Sequence, residues 1–179
     1  MPPTFNLEET RRVLEGTPAV LRAVLAPLPP YVLDANEGEG TWNPMQVVAH
    51  LAWGEQDDWI PRIRKTLEQG DAEPYTPFDR EKGFVIYGGW PLDRLLDEFA
   101  SLRQASLQAL DSLSLQPSDL RRRGRHPELG PVTMEQLIAT WVTSDCAHLA
   151  QIARILTKHH GQFAGPWRRY FSLLRGRPQ

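Results

Sequence analysis

The chain has little of what most often announces a function. It holds one cysteine in 179 residues, which excludes an intramolecular disulfide framework and any cysteine-rich zinc module. It has no strong charge of either sign. Twenty Lys and Arg against 22 Asp and Glu give a formal net charge of −2, which argues against a general nucleic-acid-binding surface. No run approaches the roughly 18 uninterrupted apolar residues that a membrane-spanning helix needs. The N-terminus lacks both a basic and an apolar region, so no secretory signal peptide is expected. What is present is a 41% hydrophobic chain of a length that suits one domain, 1–179, with a sizeable core. The expectation is a cytoplasmic globular protein with neither nucleic-acid nor membrane partners. Its chemistry must rest on the five histidines, the carboxylates or Cys146.

Hydrophobic periodicity predicts four long helices. The first spans about Leu7 to Ala26, with Val13, Leu14, Thr17, Val20, Leu21, Val24 and Leu25 at three- and four-residue spacing. Pro18 predicts a kink or a restart within it. The second starts at Asn43-Pro44, a good N-cap followed by proline at the first helical position. It runs to Gly70, with Pro61 bending or interrupting it. The third follows Pro91. The fourth has Thr133 as N-cap, Gln136 completing a capping box, and Gly161 at its end. A short tail helix is predicted around Trp167 to Leu174, and no strand. Residues 70–91 form a long irregular stretch with five aromatics, either a lid over the core or a pocket wall. The basic run around Arg121 to Arg125 reads as a solvated loop. Four amphipathic helices with two long connections indicate an all-α four-helix bundle.

Two of the apolar faces carry polar interruptions. On the fourth helix, Asp145 and His148 fall within the stripe Met134, Ile138, Trp141, Ile152 and Ile155. Buried without partners they would cost several kcal/mol, so they must pair with each other, another helix, water or a metal. On the second helix His50 lies among Val47, Leu51 and Trp53, and Gly54 one turn on leaves space beside it. Two histidines on facing helices are a common basis for a metal or catalytic site. Equally, a histidine on an apolar face is often a satisfied core residue, and His148 could bond Asp145. His126 is a possible third ligand. His159 and His160 are placed to meet exposed helix carbonyls. Cys146 has neither a CxxC partner nor a neighbouring cation and reads as a buried, inert thiol.

Several stretches resemble the DinB/YfiT-like family: Trp42 to Ala52 (WNPMQVVAHLA), Gly124 to Val142 (GRHPELGPVTMEQLIATWV), Asp145 with His148 to Arg154 (HLAQIAR), Pro77 to Arg80 (PFDR), and Gly165 to Tyr170 (GPWRRY). The resemblance implies a four-helix bundle with long crossover connections and a short C-terminal helix, often homodimeric. It also implies a divalent metal, zinc or nickel, held by three histidines. Two of these positions match His50 and His148; the third falls on Ser144, a far poorer ligand. Asp145 is then a candidate support for His148, or itself a ligand, and Glu55 and Asp57 are weaker substitutes. Three functions follow: a metal-free or weakly metal-binding small-molecule-binding protein, a metal-dependent thiol transferase or isomerase acting on a small molecule, or a purely structural dimerising bundle.

Overall fold

The computed structural model describes residues 4–174. Helix α1 (Leu7–Leu25) is followed by the short α2 (Pro30–Leu33), then α3 (Pro44–Asp57), α4 (Trp59–Gln69), the short α5 (Lys82–Ile86), α6 (Leu92–Ser112) and α7 (Met134–Gly161). Two strands, β1 (Arg123–His126) and β2 (Gly130–Thr133), precede α7 as an antiparallel hairpin. The predicted tail helix is two 3-10 turns, Gly165–Tyr170 and Ser172–Leu174.

The helices begin where capping chemistry dictates. Asn43 and Thr133 each accept a bond from a backbone N–H three residues on, and Gln46 and Gln136 return bonds to the cap residues. The predicted second helix is broken at Asp58 into α3 and α4. Pro61 is the reason: it has no N–H for the Asp57 carbonyl, and its ring crowds that carbonyl.

Pro18 behaves differently, since α1 runs through it without a restart. The Leu14 carbonyl, left without its helical partner, accepts instead from Arg103 Nη1 on α6 at 2.7 Å. The buried face of α1 is Thr10, Leu14, Thr17, Leu21 and Leu25. The expected Val13, Val20 and Val24 lie at the solvent edge.

Four bundle positions are filled by α1, the α3–α4 pair, α6 and α7. Helix α1 packs on α6 and α7, and the α3–α4 pair packs on the same two. The connections from α1 to α3 and from α6 to α7 therefore cross the bundle diagonally. This is why both are long.

The core has two apolar layers. One gathers Leu21, Leu25, Val47, Val48, Leu51, Leu95, Leu96, Phe99 and Ile152. The other gathers Leu14, Ile60, Ile63, Leu107, Leu110, Met134, Ile138 and Trp141. Because α3 and α6 both enter the first layer and lead toward the second, they run in the same sense. Residues 70–91 must return along the whole bundle.

The β-hairpin was not expected from the sequence. Its residues Arg123 to Arg125 are polar and its strands have four residues each, too short to show alternation. It is held from outside: Tyr75 N–H donates to the Arg125 carbonyl at 2.8 Å, and the Tyr75 and Thr66 hydroxyls meet at 2.7 Å. Gly124 is required there, since a Cβ would stand 1.8 Å from Tyr75 Oη and 2.6 Å from Thr66 Oγ1. Gly124→Ala is expected to break this buried pair at a cost of about 1–3 kcal/mol. Urea denaturation, with faster exchange of the Tyr75 amide, checks it.

Candidate functional site

Between α3–α4 and α7 lies a cavity of about 470 Å³. Three walls form it. On α3 and at its junction with α4, His50, Gly54 and Asp58 follow at four-residue spacing, with Trp59 and Arg62 of α4 beyond them. On α7, Gln136, Thr140, Ser144 and His148 make a second four-residue ladder. Tyr75, Phe78 and Arg80 from the long loop and His126 to Leu129 from the hairpin close it. The aromatic loop therefore serves as both lid and pocket wall: Tyr87 packs into the core, with Phe84 and Trp90 against it. Gly54 keeps the cavity open, because a Cβ there would sit 3.3 Å from Trp59 Nε1 and point between Trp59 and Phe78.

His50 and His148 are brought together from facing helices, with ring centroids 4.7 Å apart. Trp42 packs on both rings, tilted against His50 at 4.8 Å and stacked on His148 at 6.0 Å. His50 Nδ1 lies 2.9 Å from the Arg80 carbonyl, which can only accept, so Nδ1 carries the proton and Nε2 keeps its lone pair. His148 Nδ1 donates to Gln151 Oε1 at 3.1 Å, with the same consequence. Burial pushes the His50 pKa down to about 4 against the bond to the Arg80 carbonyl, and the charges of His148 and Arg80 add to the lowering. Burial also lowers that of His148, with Arg80 adding to it. Near neutral pH the pair is uncharged, each ring presenting an Nε2 acceptor.

The third position does not supply a comparable donor. Ser144 lines the cavity beside His148, but with a neutral hydroxyl. Asp145 does not support His148 as expected. It projects into the core, where its two oxygens bind Arg103 at 2.6 and 2.9 Å. Glu55 binds the same guanidinium at 2.8 Å, and Asp57 is exposed.

His126 reaches the cavity wall, yet its Nδ1 accepts from the Glu128 and Leu129 N–H groups. Its proton is therefore on Nε2, and in this tautomer it has no lone pair for a ligand. Among the described residues no cluster of three His, Cys, Asp or Glu is arranged to hold a metal. The donors present do not fit a three-histidine metal centre. Cys146, expected to be buried, is exposed.

Sequence reasoning missed Asp58 and Arg62. Their ion pair, 2.6 Å between Arg62 Nε and Asp58 Oδ1, lies at the opposite end of the cavity from the histidines. Burial raises the Asp58 pKa to about 6 against the pull of Arg62. A signal existed: Asp58 continues the His50 and Gly54 ladder.

The profile of the DinB superfamily matches residues 14–152. The chain belongs to the DinB superfamily. It is 25% identical over 143 residues to a protein of Oceanobacillus iheyensis named as a candidate metal-dependent hydrolase, a match covering 79% of this chain and 81% of that one. Among solved structures it is similar to YfiT from Bacillus subtilis, with a TM-score of 0.74 and 21% identity over 90% of this chain and 94% of that one. YfiT is described as a candidate metal-dependent hydrolase with an unusual four-helix bundle topology. TT2238, described as a four-helix bundle protein, aligns with a TM-score of 0.55 and 20% identity, covering 81% of this chain and 96% of that one. These two likenesses establish the fold. No described helix is long and apolar enough to cross a membrane.

The depressed histidine has a consequence for stability. The unfolded ring takes a proton as pH falls through about 6.5, the folded ring only near 4. Between these values the unfolded state binds more protons, so stability falls with pH. Asp58, raised to about 6, acts in the opposite sense, since the folded state protonates first. His50→Gln removes the first effect and keeps the second. Relative to wild type, the variant is expected to gain about 2 kcal/mol between pH 7 and pH 5. Urea curves at the two pH values measure this, and an unchanged difference contradicts it.

Proposed function

We propose that this chain is a small-molecule-binding member of the DinB superfamily that has kept the pocket and weakened or lost the metal. The observation carrying this reading is the donor set. Two neutral imidazoles face the cavity with free Nε2 atoms, and the position that should complete the site is Ser144, while Asp145 is committed to Arg103. Two imidazoles and a neutral hydroxyl fall short of the three protein ligands typical of a catalytic zinc site. The cavity volume lies within the range of small-molecule sites, and its apolar walls of Phe78, Trp59 and Leu137 suit an organic ligand.

A second reading is favoured by one feature. The rings are held neutral with Nδ1 engaged, the state in which histidine ligates, and the relative from Oceanobacillus iheyensis is named as a candidate metal-dependent hydrolase. On that reading the protein is a divalent-metal-dependent hydrolase, or a thiol transferase or isomerase, acting on a small molecule.

Elemental analysis of protein purified without chelator or histidine tag separates the two. The expected result is far less than one zinc or nickel per chain, with Ser144→His raising the content toward one. Near-stoichiometric metal in the natural chain, abolished by His50→Ala, would overturn the metal-poor reading.

A further inference from the structure

Arg80 contributes more to the cavity than a carbonyl. Its backbone is fixed by the bond to His50 Nδ1 at 2.9 Å. Its guanidinium lies over the Trp42 ring at 5.4 Å, the ring that also packs on His50 and His148. Its charge is felt by both histidines. Yet among the described residues Arg80 forms no ion pair, whereas the other cavity cation, Arg62, is neutralised by Asp58. Glu128 lies on the hairpin wall, also without an ion pair among the described residues. Among the described residues the cavity thus has one unpaired cation beside the histidine pair and one unpaired carboxylate on the hairpin wall.

We propose that the pocket takes a small organic anion, its acidic group bound by Arg80 beside the histidine pair and its apolar body lying against Phe78, Trp59 and Leu137. The inference rests on the pocket being a small-molecule site. A planar guanidinium steadied on an aromatic face is well suited to a carboxylate or sulfonate. Glu128 orients the ligand, because it repels the acidic group from the hairpin side. Arg80 is therefore a specificity-determining residue: it selects charge, while the apolar walls accept the body. The same positive charge disfavours a divalent cation at the histidines.

Two dyes with one skeleton test this: anilinonaphthalene sulfonate, an anion, and the uncharged phenylnaphthylamine. Fluorescence titration at low salt should show the sulfonate bound more tightly. Arg80→Gln should weaken the sulfonate by about five- to tenfold and leave the uncharged dye unchanged, Arg80→Lys should keep much of the preference, and added salt should erode it. Ser144→Phe, which fills the cavity, should weaken both dyes. If both bind and Arg80→Gln leaves their ratio unchanged, the assignment of Arg80 is wrong while the pocket reading stands. If neither dye binds, or Ser144→Phe affects neither, the pocket reading fails and this inference with it.

Discussion

Four helices of this bundle meet at one guanidinium. Arg103, on α6, donates to the Leu14 carbonyl of α1, to both oxygens of Asp145 on α7 and to Glu55 on α3. Trp141 Nε1 joins through Glu55 Oε1 at 3.0 Å. All three charged side chains are essentially removed from solvent. Burial opposes the charge on Arg103, but the Asp145 and Glu55 contacts outweigh it and hold the guanidinium ionised. Burial raises the pKa of Glu55 despite Arg103. This cluster separates the two apolar layers of the core. Its worth lies less in net stability, which buried ion pairs supply poorly, than in the cost of breaking it. A shift of α3 or α7 by one residue would leave a carboxylate buried without its partner. Even in register, Glu55 Oε2 and Arg103 Nε find no bond.

The site inherits its geometry from that constraint. His50 is five residues before Glu55, and His148 three residues after Asp145, so the register that pairs the carboxylates with Arg103 also brings the two imidazoles into edge-on contact. The polar stripe of each helix divides into two tasks. Asp145 and Glu55 point inward and fix the bundle; His148, Ser144 and His50 face the cavity. The long loop and the hairpin then close the space, joined to each other by the Tyr75 to Arg125 bond.

Much of this could be read from the residues. The caps at Asn43 and Thr133 and the periodicity of α6 and α7 depend on local chemistry, which the sequence carries directly. His50 and His148 stood out because polar groups interrupt apolar faces. Asp145 stood out for the same reason, but its partner did not. Choosing between His148 three residues away and Arg103 on another helix needs the packing, not the spacing. Arg103 itself left a faint trace, lying four residues after Phe99 and four before Leu107 on the buried face of α6. The hairpin was invisible because its order comes from Tyr75 and Thr66, distant in sequence. At Pro18 the helix continues without a restart, and the carbonyl the proline orphans is satisfied by a side chain from another helix, a partner that spacing could not name.

The most direct test of the claim that Arg103 sets the register is a double-mutant cycle with Arg103→Met and Asp145→Leu, read by urea denaturation. Arg103→Met alone is expected to cost about 3–5 kcal/mol, because it leaves both Asp145 and Glu55 buried without their partner. In the Asp145→Leu background it should cost less, since only Glu55, still held by Trp141 Nε1, is then left without the guanidinium, giving a coupling of about 2 kcal/mol. Costs that add within about 0.5 kcal/mol would show that the two side chains are not held as a unit.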